Sequence, residues 1–295
     1  MLPQEAPLQA GAILRGVVDR QMKGQGGVFV RLPDDTRGFL KQVGGLAPGD
    51  RVLVQVTGHA EPGKALPVTT RVLFKSRYCI VTPGVAGLNI SRQIRDEALR
   101  DDLGTLAEAA MQGAPETLGL ILRSVCRVAE DDVIAQDIAM MRDLAEKIGN
   151  DLEGPPELLL DAPGAQELAW RDWVDPIPDE VIDTPRAFDQ LGVRDMLDAL
   201  RGPSVALDNG AGMMIEPTRA LVAVDVNTGP DSSPAAGFKA NLAAARALPR
   251  QLLLRGLGGQ ITVDFAPMPK RDRHVLEQTL RAAFRQEGSE TTLPG

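Results

Sequence analysis

Two aspartates interrupt apolar segments in the C-terminal third of the chain. Asp225 lies in LVAVDVNTG and Asp264 lies in QITVDFAPM, and both segments otherwise have the composition of buried strands. A carboxylate in such a run is costly to bury alone, and two nearby carboxylates repel each other unless a cation lies between them. Oxygen ligands of this kind suit Mg²⁺ or Mn²⁺, which activate water and stabilise charge on a phosphodiester. The pair therefore predicts a metal-dependent site for phosphate chemistry.

Asn227 adds a third polar group to this pattern. It lies two residues after Asp225 and therefore points to the same side of the strand, because side chains alternate between the two faces. Its amide suits the orientation of a water molecule or a phosphate oxygen. The alternative is that each aspartate only caps a turn at the end of its strand. Two matching aspartates on either side of one helix favour a site.

The composition limits the function classes. The chain has 295 residues and a formal net charge of -8, which argues against nucleic-acid binding by bulk charge but allows a local basic groove. Cys79 and Cys126 form no C-x-x-C motif, so zinc ribbons are excluded and two buried thiols are expected. There is no apolar run of roughly 20 residues and no signal-peptide pattern at the N-terminus. We therefore expect a cytoplasmic protein that does not enter a membrane.

The first half of the chain has the pattern of short strands followed by mixed elements. Five apolar or alternating runs between residues 11 and 74, separated by turn residues, predict a small barrel, with an OB-fold as the most economical choice. The last of these runs, ALPVTTRVLF, predicts a single strand. Two helices are then predicted, over 92–110 with Ser91 as a cap and over 132–147.

The second half begins with an irregular, proline-rich segment over 151–202. ELLL and DEVID are strand candidates there, and one helix is predicted over 185–202. AGMMIEP and RALVAVDVNTG predict two neighbouring strands, and a helix over 238–255 is expected to kink at Pro249. GQITVDFAPM predicts a strand in a sheet covered on both faces, and residues 270–286 predict a final helix.

Several separated motifs follow one another in a fixed order in the C-terminal third. They are Asp-x-Asn in RALVAVDVNTG, then Asn-Leu-x-Ala-Ala, Arg-x-Leu-Gly-Gly and Val-Asp-Phe in NLAAARALPRQLLLRGLGGQITVDFAPM. This order resembles the catalytic core of the ribonuclease E/G family. The resemblance implies that Asp225 and Asp264 bind a catalytic Mg²⁺, with Mn²⁺ as a substitute, and that Asn227 supports the attack geometry. It covers about residues 11–286.

The segment GAILRGVVDRQMKGQGGVFVRLPDDTRGFLK resembles the family's OB-fold RNA-binding barrel. The resemblance implies that Phe29 and Phe39 stack on RNA bases, whereas the alternative is that both rings fill the barrel core. Gly63-Lys64 followed by Thr69-Thr70 resembles a family motif in which Lys64 contacts phosphate; a solvated hairpin lysine is the alternative. GHAEPGKA ends in alanine where a Walker A loop has Ser or Thr, so a nucleotide P-loop is not predicted.

The following segment is similar to the family's sensor of an RNA 5′-monophosphate. Arg123 and Ser124 in LILRSV align with the family's Arg-Thr phosphate ligands, and arginine suits bidentate phosphate contact. Ser76 stands where the family has a glycine in this pocket. The resemblance therefore implies 5′-phosphate sensing at Arg123 and Ser124, with one departure from the family's pattern.

The fold class that the resemblance implies is a multidomain α+β protein. The expected parts are an OB-fold barrel over 9–74, a mixed α/β 5′-sensor subdomain over 75–150, a reduced ribonuclease H-like or linker segment over 151–202 and a C-terminally incomplete DNase I-like α/β catalytic subdomain over 203–295. The family's Val-Asp-Phe-x-Asp-Met has a second acid, which is Pro267 here. The Cys pair that links larger members through zinc is absent, so a zinc-linked assembly is not expected and a homo-oligomer is left open.

The expected function is a metal-dependent endoribonuclease that hydrolyses single-stranded RNA, 5′-monophosphorylated RNA included, during RNA processing or decay. The site would be Asp225, Asn227 and Asp264. The rival from another class is a catalytically inert RNA-binding paralogue. A metal-dependent DNA nuclease is a third reading, which the barrel and the motif order disfavour.

Overall fold

The computed structural model describes residues 8–21, 26–41, 44–60, 64–174, 178–287 and 291–292. The chain has a mixed α+β fold and divides into two compact units, Met1–Glu180 and Val181–Gly295. Across the described ranges, every helix is too short or too polar to cross a lipid bilayer.

A closed five-stranded barrel forms the first part of the N-terminal unit. Its strands are β1 (Ile13–Gln21), β2 (Val28–Arg31), β3 (Arg37–Leu40), β4 (Arg51–Val56) and β5 (Leu66–Thr69). The hydrogen-bonded order is β1-β2-β3-β5-β4, and β4 returns to pair with β1. Alternate residues such as Leu14, Val30 and Val54 are fully buried inside it. This arrangement is consistent with an OB-like fold and confirms the predicted barrel.

The predicted long strand ALPVTTRVLF is wrong in its extent, because β5 ends at Thr69. The backbone of Leu73 is paired with a side chain instead of a neighbouring strand. The Gln55 Nε2 donates to the Leu73 carbonyl at 3.1 Å, and the Leu73 N–H donates to the Gln55 Oε1 at 3.0 Å. One amide side chain thus satisfies the backbone where the ladder stops.

A second sheet and two helices complete the core that follows the barrel. The elements are β6 (Phe74–Lys75), β7 (Cys79–Pro83), β8 (Leu88–Ile90), α1 (Glu97–Ala110), β9 (Leu118–Leu122) and α2 (Asp131–Gly149), with strand order β6-β7-β9-β8. The first helix begins later than the predicted residue 92. The Asp96 side chain caps it by accepting from the Leu99 N–H at 3.2 Å, whereas the Ser91 N–H bonds to the Leu122 carbonyl.

Part of the proline-rich segment joins the barrel sheet. Strand β10 (Glu157–Leu160) pairs antiparallel with β1, and the short helix α3 (Ala165–Asp172) follows. Arg15 on β1 is only 2% exposed, and it donates to the Pro155 carbonyl and forms ion pairs with Asp151 and Glu157. These partners neutralise the buried guanidinium. The strand predicted in DEVID is wrong, since residues 179–183 are irregular.

The C-terminal unit contains an open sheet and four helices among its described residues. The elements are α4 (Ala187–Gln190), α5 (Val193–Arg201), β11 (Ser204–Ala206), β12 (Gly212–Pro217), β13 (Val222–Asn227), α6 (Pro234–Arg255), β14 (Ile261–Asp264) and α7 (Arg273–Gln286). The single helix predicted over 185–202 is wrong. Gly192 adopts a left-handed conformation with φ 65° and separates α4 from α5.

The sheet β11-β12-β13-β14 has one covered face and one open face. Val222, Val224 and Val226 of β13 are buried in a core with apolar residues of α6. The intervening residues of β13 and β14 include the exposed Asp225 and Asp264. The prediction of a sheet covered on both faces is therefore wrong, because the alternation in these strands carries polar residues on the open face. Helix α6 begins at Pro234, earlier than predicted, and includes Pro249.

Candidate active site

The two predicted aspartates are direct neighbours on the open face of the C-terminal sheet. Strands β13 and β14 are parallel, and their register pairs Asp225 with Asp264. Paired residues of adjacent strands point to the same face, and such strands lie about 4.8 Å apart. Both aspartates are exposed. The register thus brings two carboxylates together at the carboxyl ends of two parallel strands.

Asn227 lies on the same face and contacts the first aspartate. Its Nδ2 donates a hydrogen bond to the Asp225 Oδ2 at 2.7 Å. This bond fixes the orientation of one carboxylate and leaves its other oxygen directed elsewhere. The expected same-side placement of Asp225 and Asn227 is confirmed.

The donor set at this pair fits a hydrated magnesium ion. Two neighbouring carboxylates supply hard oxygen ligands, and Mg²⁺ usually takes only one or two protein carboxylates while keeping several waters. In the described part of the chain there is no group of three or more His, Cys, Asp or Glu residues with metal-binding geometry. The pair alone would therefore hold the ion, with its remaining positions filled by water or substrate phosphate.

A buried asparagine of α6 holds the segment that follows Asp264. Asn241 is completely buried, its Nδ2 donates to the Ala266 carbonyl at 2.8 Å, and its Oδ1 accepts from the Ala266 N–H at 2.9 Å. Both backbone groups of Ala266 are thus satisfied by one side chain. Asn241 lies in the Asn-Leu-x-Ala-Ala motif, but its positioning role was not predicted from the sequence. A polar residue in the apolar stretch of the helix was the available signal.

Two glycines allow close backbone approaches around the site. A Cβ on Gly237 of α6 would lie 2.1 Å from the Pro267 carbonyl oxygen. Gly229 has φ 75°, and a Cβ there would lie 2.2 Å from the Gly210 carbonyl oxygen. The loop after Asp264 and the turn after Asn227 are therefore both packed against neighbouring backbone.

The predicted RNA-stacking residues lie on the outer face of the barrel. Phe29 of β2 and Phe39 of β3 are register partners with ring centroids 5.5 Å apart, and both are half-buried. The residues that alternate with them, such as Val28 and Leu40, fill the barrel core. The two tilted rings therefore pack together outside the core and present a surface to solvent.

Lys64 precedes β5, and its side chain is exposed. It already has an interaction within the chain. The structure brings Lys64 and the two phenylalanines into one barrel, and their role in binding RNA stays a prediction.

The predicted phosphate ligand Arg123 already forms hydrogen bonds and an ion pair with other residues of the N-terminal unit. Its Nη1 donates to the carbonyls of Ser76 at 2.6 Å and Arg171 at 2.9 Å, and its Nη2 pairs with the Asp172 carboxylate at 3.0 Å. Asp172 also pairs with Arg171 at 2.7 Å. Burial raises the pKa of Asp172, but the Arg171 hydrogen bond and the charges of Arg171 and Arg123 outweigh it and lower that pKa overall. A charged carboxylate therefore sits where a phosphate was predicted.

Ser124 begins a short 3-10 helix, Ser124–Val128, directly after Arg123. It is half-buried, and its sensing role stays a prediction.

The two cysteines are free and buried, and burial raises the pKa of Cys79 to about 12 and that of Cys126 to about 11. Both thiols are protonated at neutral pH and are poor nucleophiles.

Comparison with known proteins decides the family. The sequence profile of the ribonuclease E/G family matches the chain over residues 74–187 and 180–295. The chain belongs to the ribonuclease E/G family. It is 26% identical to ribonuclease E of a Nostoc species over 89% of this chain and 46% of that protein. It is 29% identical to Escherichia coli ribonuclease E over 82% of this chain, and 26% identical to Escherichia coli ribonuclease G over 79%.

This ribonuclease E/G chain covers only part of the length of the curated relatives it matches. It spans 46% of the Nostoc ribonuclease E, 26% of the Escherichia coli ribonuclease E and 55% of the Escherichia coli ribonuclease G. Pro267 lies three residues after Asp264, at the position where the resemblance implied a second acid. The backbone carbonyl of Pro267 lies close to Gly237 of α6.

Proposed function

We propose that this chain is an endoribonuclease that hydrolyses single-stranded RNA with the help of Mg²⁺ at Asp225 and Asp264. The observation that carries the proposal is the pairing of the two exposed carboxylates in neighbouring parallel strands. Membership of the ribonuclease E/G family supports RNA as the substrate. RNA processing or decay in the cytoplasm is the setting that we propose for this activity.

Each residue of the site has a distinct task in this proposal. Asp225 and Asp264 would hold Mg²⁺, which supplies an activated water and neutralises the charge that develops on the phosphodiester. Asn227 orients the Asp225 carboxylate through its 2.7 Å hydrogen bond. Asn241 and Gly237 hold the loop after β14 and so fix the position of Asp264. Because the carboxylates lie on an open face, a polymer is able to reach them.

The barrel supplies the proposed contacts to the rest of the RNA. Phe29 and Phe39 offer an aromatic surface on which purine or pyrimidine bases would stack. Such stacking suits single strands, whose bases are accessible, rather than duplexes. Lys64 is the proposed phosphate contact on the same barrel. These contacts would allow a chain whose net charge is -8 to bind RNA through a local surface.

A 5′-monophosphate is proposed to compete with Asp172 for Arg123, since the guanidinium already forms an ion pair within the chain. Ser124 would add a hydrogen bond to the same phosphate. This part of the proposal is independent of cleavage, because it concerns only which RNA ends bind well.

The test is cleavage of a 5′-monophosphorylated single-stranded RNA in Mg²⁺. The wild type is expected to cut it, and Asp264→Asn is expected to lose roughly 100-fold or more in rate, the size of removing one electrostatic group at a reaction centre. Asp195→Asn changes the same charge on the exposed surface of α5 and is the matched control. Equal rates in the wild type and Asp264→Asn contradict the assignment, and no cleavage by any of the three supports the inert RNA-binding rival.

A further inference from the structure

The N-terminal unit contains a cleft that none of the proposed site residues lines. Its volume is about 680 Å³, and it lies among the start of β1, the residues around β6, helix α2 and helix α3. The volume falls in the range of sites for small organic ligands. Arg123 and Ser124, the predicted phosphate ligands, are not among its lining residues. The cleft therefore adjoins Arg123, which bonds to the carbonyls of the lining residues Ser76 and Arg171, but the predicted phosphate ligands themselves do not line it.

The lining of the cleft carries a local positive charge. Four cationic residues line it, namely Arg71, Lys75, Arg77 and Arg171, against the two acids Asp161 and Glu167. The Arg171 guanidinium is already paired with Asp172 at 2.7 Å, so Arg71, Lys75 and Arg77 supply the positive charge of the lining. The Glu167 carboxylate is already engaged, since it accepts from the Gly164 N–H at 2.8 Å at the start of α3.

Arg71 and Lys75 are exposed, and neither pairs with a carboxylate among the residues that the structure describes. In a chain with a net charge of -8, such a concentration of cations points to an anionic ligand.

Trp170 gives the cleft a flat aromatic surface. The Arg77 guanidinium lies 4.0 Å from the centroid of the Trp170 ring and also donates to the Trp170 carbonyl. One face of the ring is thus covered by a cation, which is a favourable contact. Trp170 nevertheless remains 59% exposed. The part of the ring that Arg77 leaves uncovered is available to a planar ligand.

Apolar side chains form the remaining wall. Leu73, Met141, Leu144 and Leu168 line the cleft and are half-buried. An aromatic ring, an apolar wall and cations without carboxylate partners suit a ligand that is planar at one end and anionic at the other. We propose that the cleft binds one nucleotide of a single-stranded RNA, with its base against Trp170 and its phosphate beside Arg71 and Lys75. A free nucleoside monophosphate has the same chemistry, and the choice of RNA as its source rests on the proposed function.

The test measures binding without cleavage. Equilibrium dialysis is carried out in EDTA on the full chain bearing Asp264→Asn, with adenosine 5′-monophosphate, adenosine, inorganic phosphate and a short 5′-phosphorylated oligoadenylate as separate probes. We expect saturable binding of adenosine 5′-monophosphate and weaker binding of adenosine and of phosphate alone. Trp170→Ala is expected to weaken binding roughly tenfold, about the effect of losing one base stack. Lys75→Ala is expected to weaken binding by a similar factor of roughly ten, because it removes a charge-assisted contact to the phosphate.

Matched controls separate the cleft from general effects. Trp173→Ala removes the chain's other tryptophan, which is 76% exposed and does not line the cleft, and Lys147→Ala removes an exposed lysine of α2 outside it. Neither is expected to change the affinity. Lys75 is exposed, so its substitution keeps the fold even if Trp170→Ala does not. The proposal is overturned if the protein with the unaltered cleft, the Lys75→Ala variant and the Trp170→Ala variant all bind adenosine 5′-monophosphate with equal affinity.

The probes also identify the source of the nucleotide. Tighter binding of the oligoadenylate than of adenosine 5′-monophosphate supports a segment of RNA, whereas tighter binding of the free nucleotide overturns that part. In the Trp173→Phe background Trp170 is the remaining tryptophan, and its fluorescence is expected to change on saturation. Binding without any such change contradicts stacking on Trp170. Because divalent metal is absent, the result does not depend on whether Asp225 and Asp264 cleave RNA.

Discussion

The aspartate pair of the C-terminal unit and the arginine of the N-terminal unit are both predicted to bind ligands of phosphate chemistry, but their surroundings differ. Asp225 and Asp264 are exposed on an open sheet face, where Asn227 donates one hydrogen bond to the pair. Arg123 is held by two carbonyls and by the Asp172 carboxylate. The first site keeps most of its oxygen atoms for a ligand, whereas the guanidinium of the second already makes three hydrogen bonds within the chain.

The difference shows that a residue type in the right motif is not enough to make a binding site. A phosphate that approaches Arg123 must replace an existing ion pair, so only the difference between the two interactions contributes to affinity. A cation that approaches the two aspartates replaces mainly water and relieves the repulsion between carboxylates. The open sheet face is therefore the stronger candidate for function, and its geometry depends on the buried residues beneath and beside it.

The largest expected effect concerns that buried support. Gly237→Ala would place a Cβ 2.1 Å from the Pro267 carbonyl oxygen, so the loop after Asp264 must move. We expect a loss of roughly 1–3 kcal/mol in the free energy of unfolding, as for other overpacked sites. Urea denaturation followed by circular dichroism measures it, and the RNA cleavage rate reports on the displaced Asp264.

The matched control is Gly104→Ala in α1, where nothing lies within 4 Å of the added Cβ. This change should raise the free energy of unfolding by roughly 0.5–1 kcal/mol, because alanine favours a helix interior over glycine. If Gly237→Ala is as stable as Gly104→Ala and cuts RNA normally, the close approach between α6 and the loop does not support the site.

A smaller effect is expected at Arg123. Asp172→Ala removes the competing carboxylate and should raise the affinity for 5′-monophosphorylated RNA roughly two- to fivefold relative to 5′-hydroxyl RNA, given the modest strength of partly exposed ion pairs. Fluorescence anisotropy with the two RNAs measures this preference. Asp143→Ala breaks a comparable pair with Arg142 in the same unit and should leave the preference unchanged. An unchanged preference in Asp172→Ala would mean that Arg123 does not bind the 5′-phosphate.

The features that could be predicted from the sequence are those that depend on residues close together along the chain. Alternation along β13 placed Asp225 and Asn227 on one face, and the turn spacing predicted the barrel. The open face was missed because the valines and isoleucines of β13 and β14 dominate the pattern and hide the polar positions between them.

Contacts between distant segments were also beyond the sequence. Arg123 and Asp172 are 49 residues apart, and no pattern in either segment predicts their ion pair. The pairing of β10 with β1 joins residues more than 140 positions apart, and it includes an ion pair between the buried Arg15 and Glu157. The break at Gly192 reflects a left-handed backbone conformation that helical periodicity does not register.

Mn²⁺ binding is the sharpest test of whether Asp225 and Asp264 together form a metal site. Electron paramagnetic resonance of a Mn²⁺ titration should show one saturable site in the wild type and in Asp195→Asn, which keeps the pair intact. Asp225→Asn and Asp264→Asn should each lose that site. Saturable Mn²⁺ binding of the same affinity in all four proteins would contradict the account.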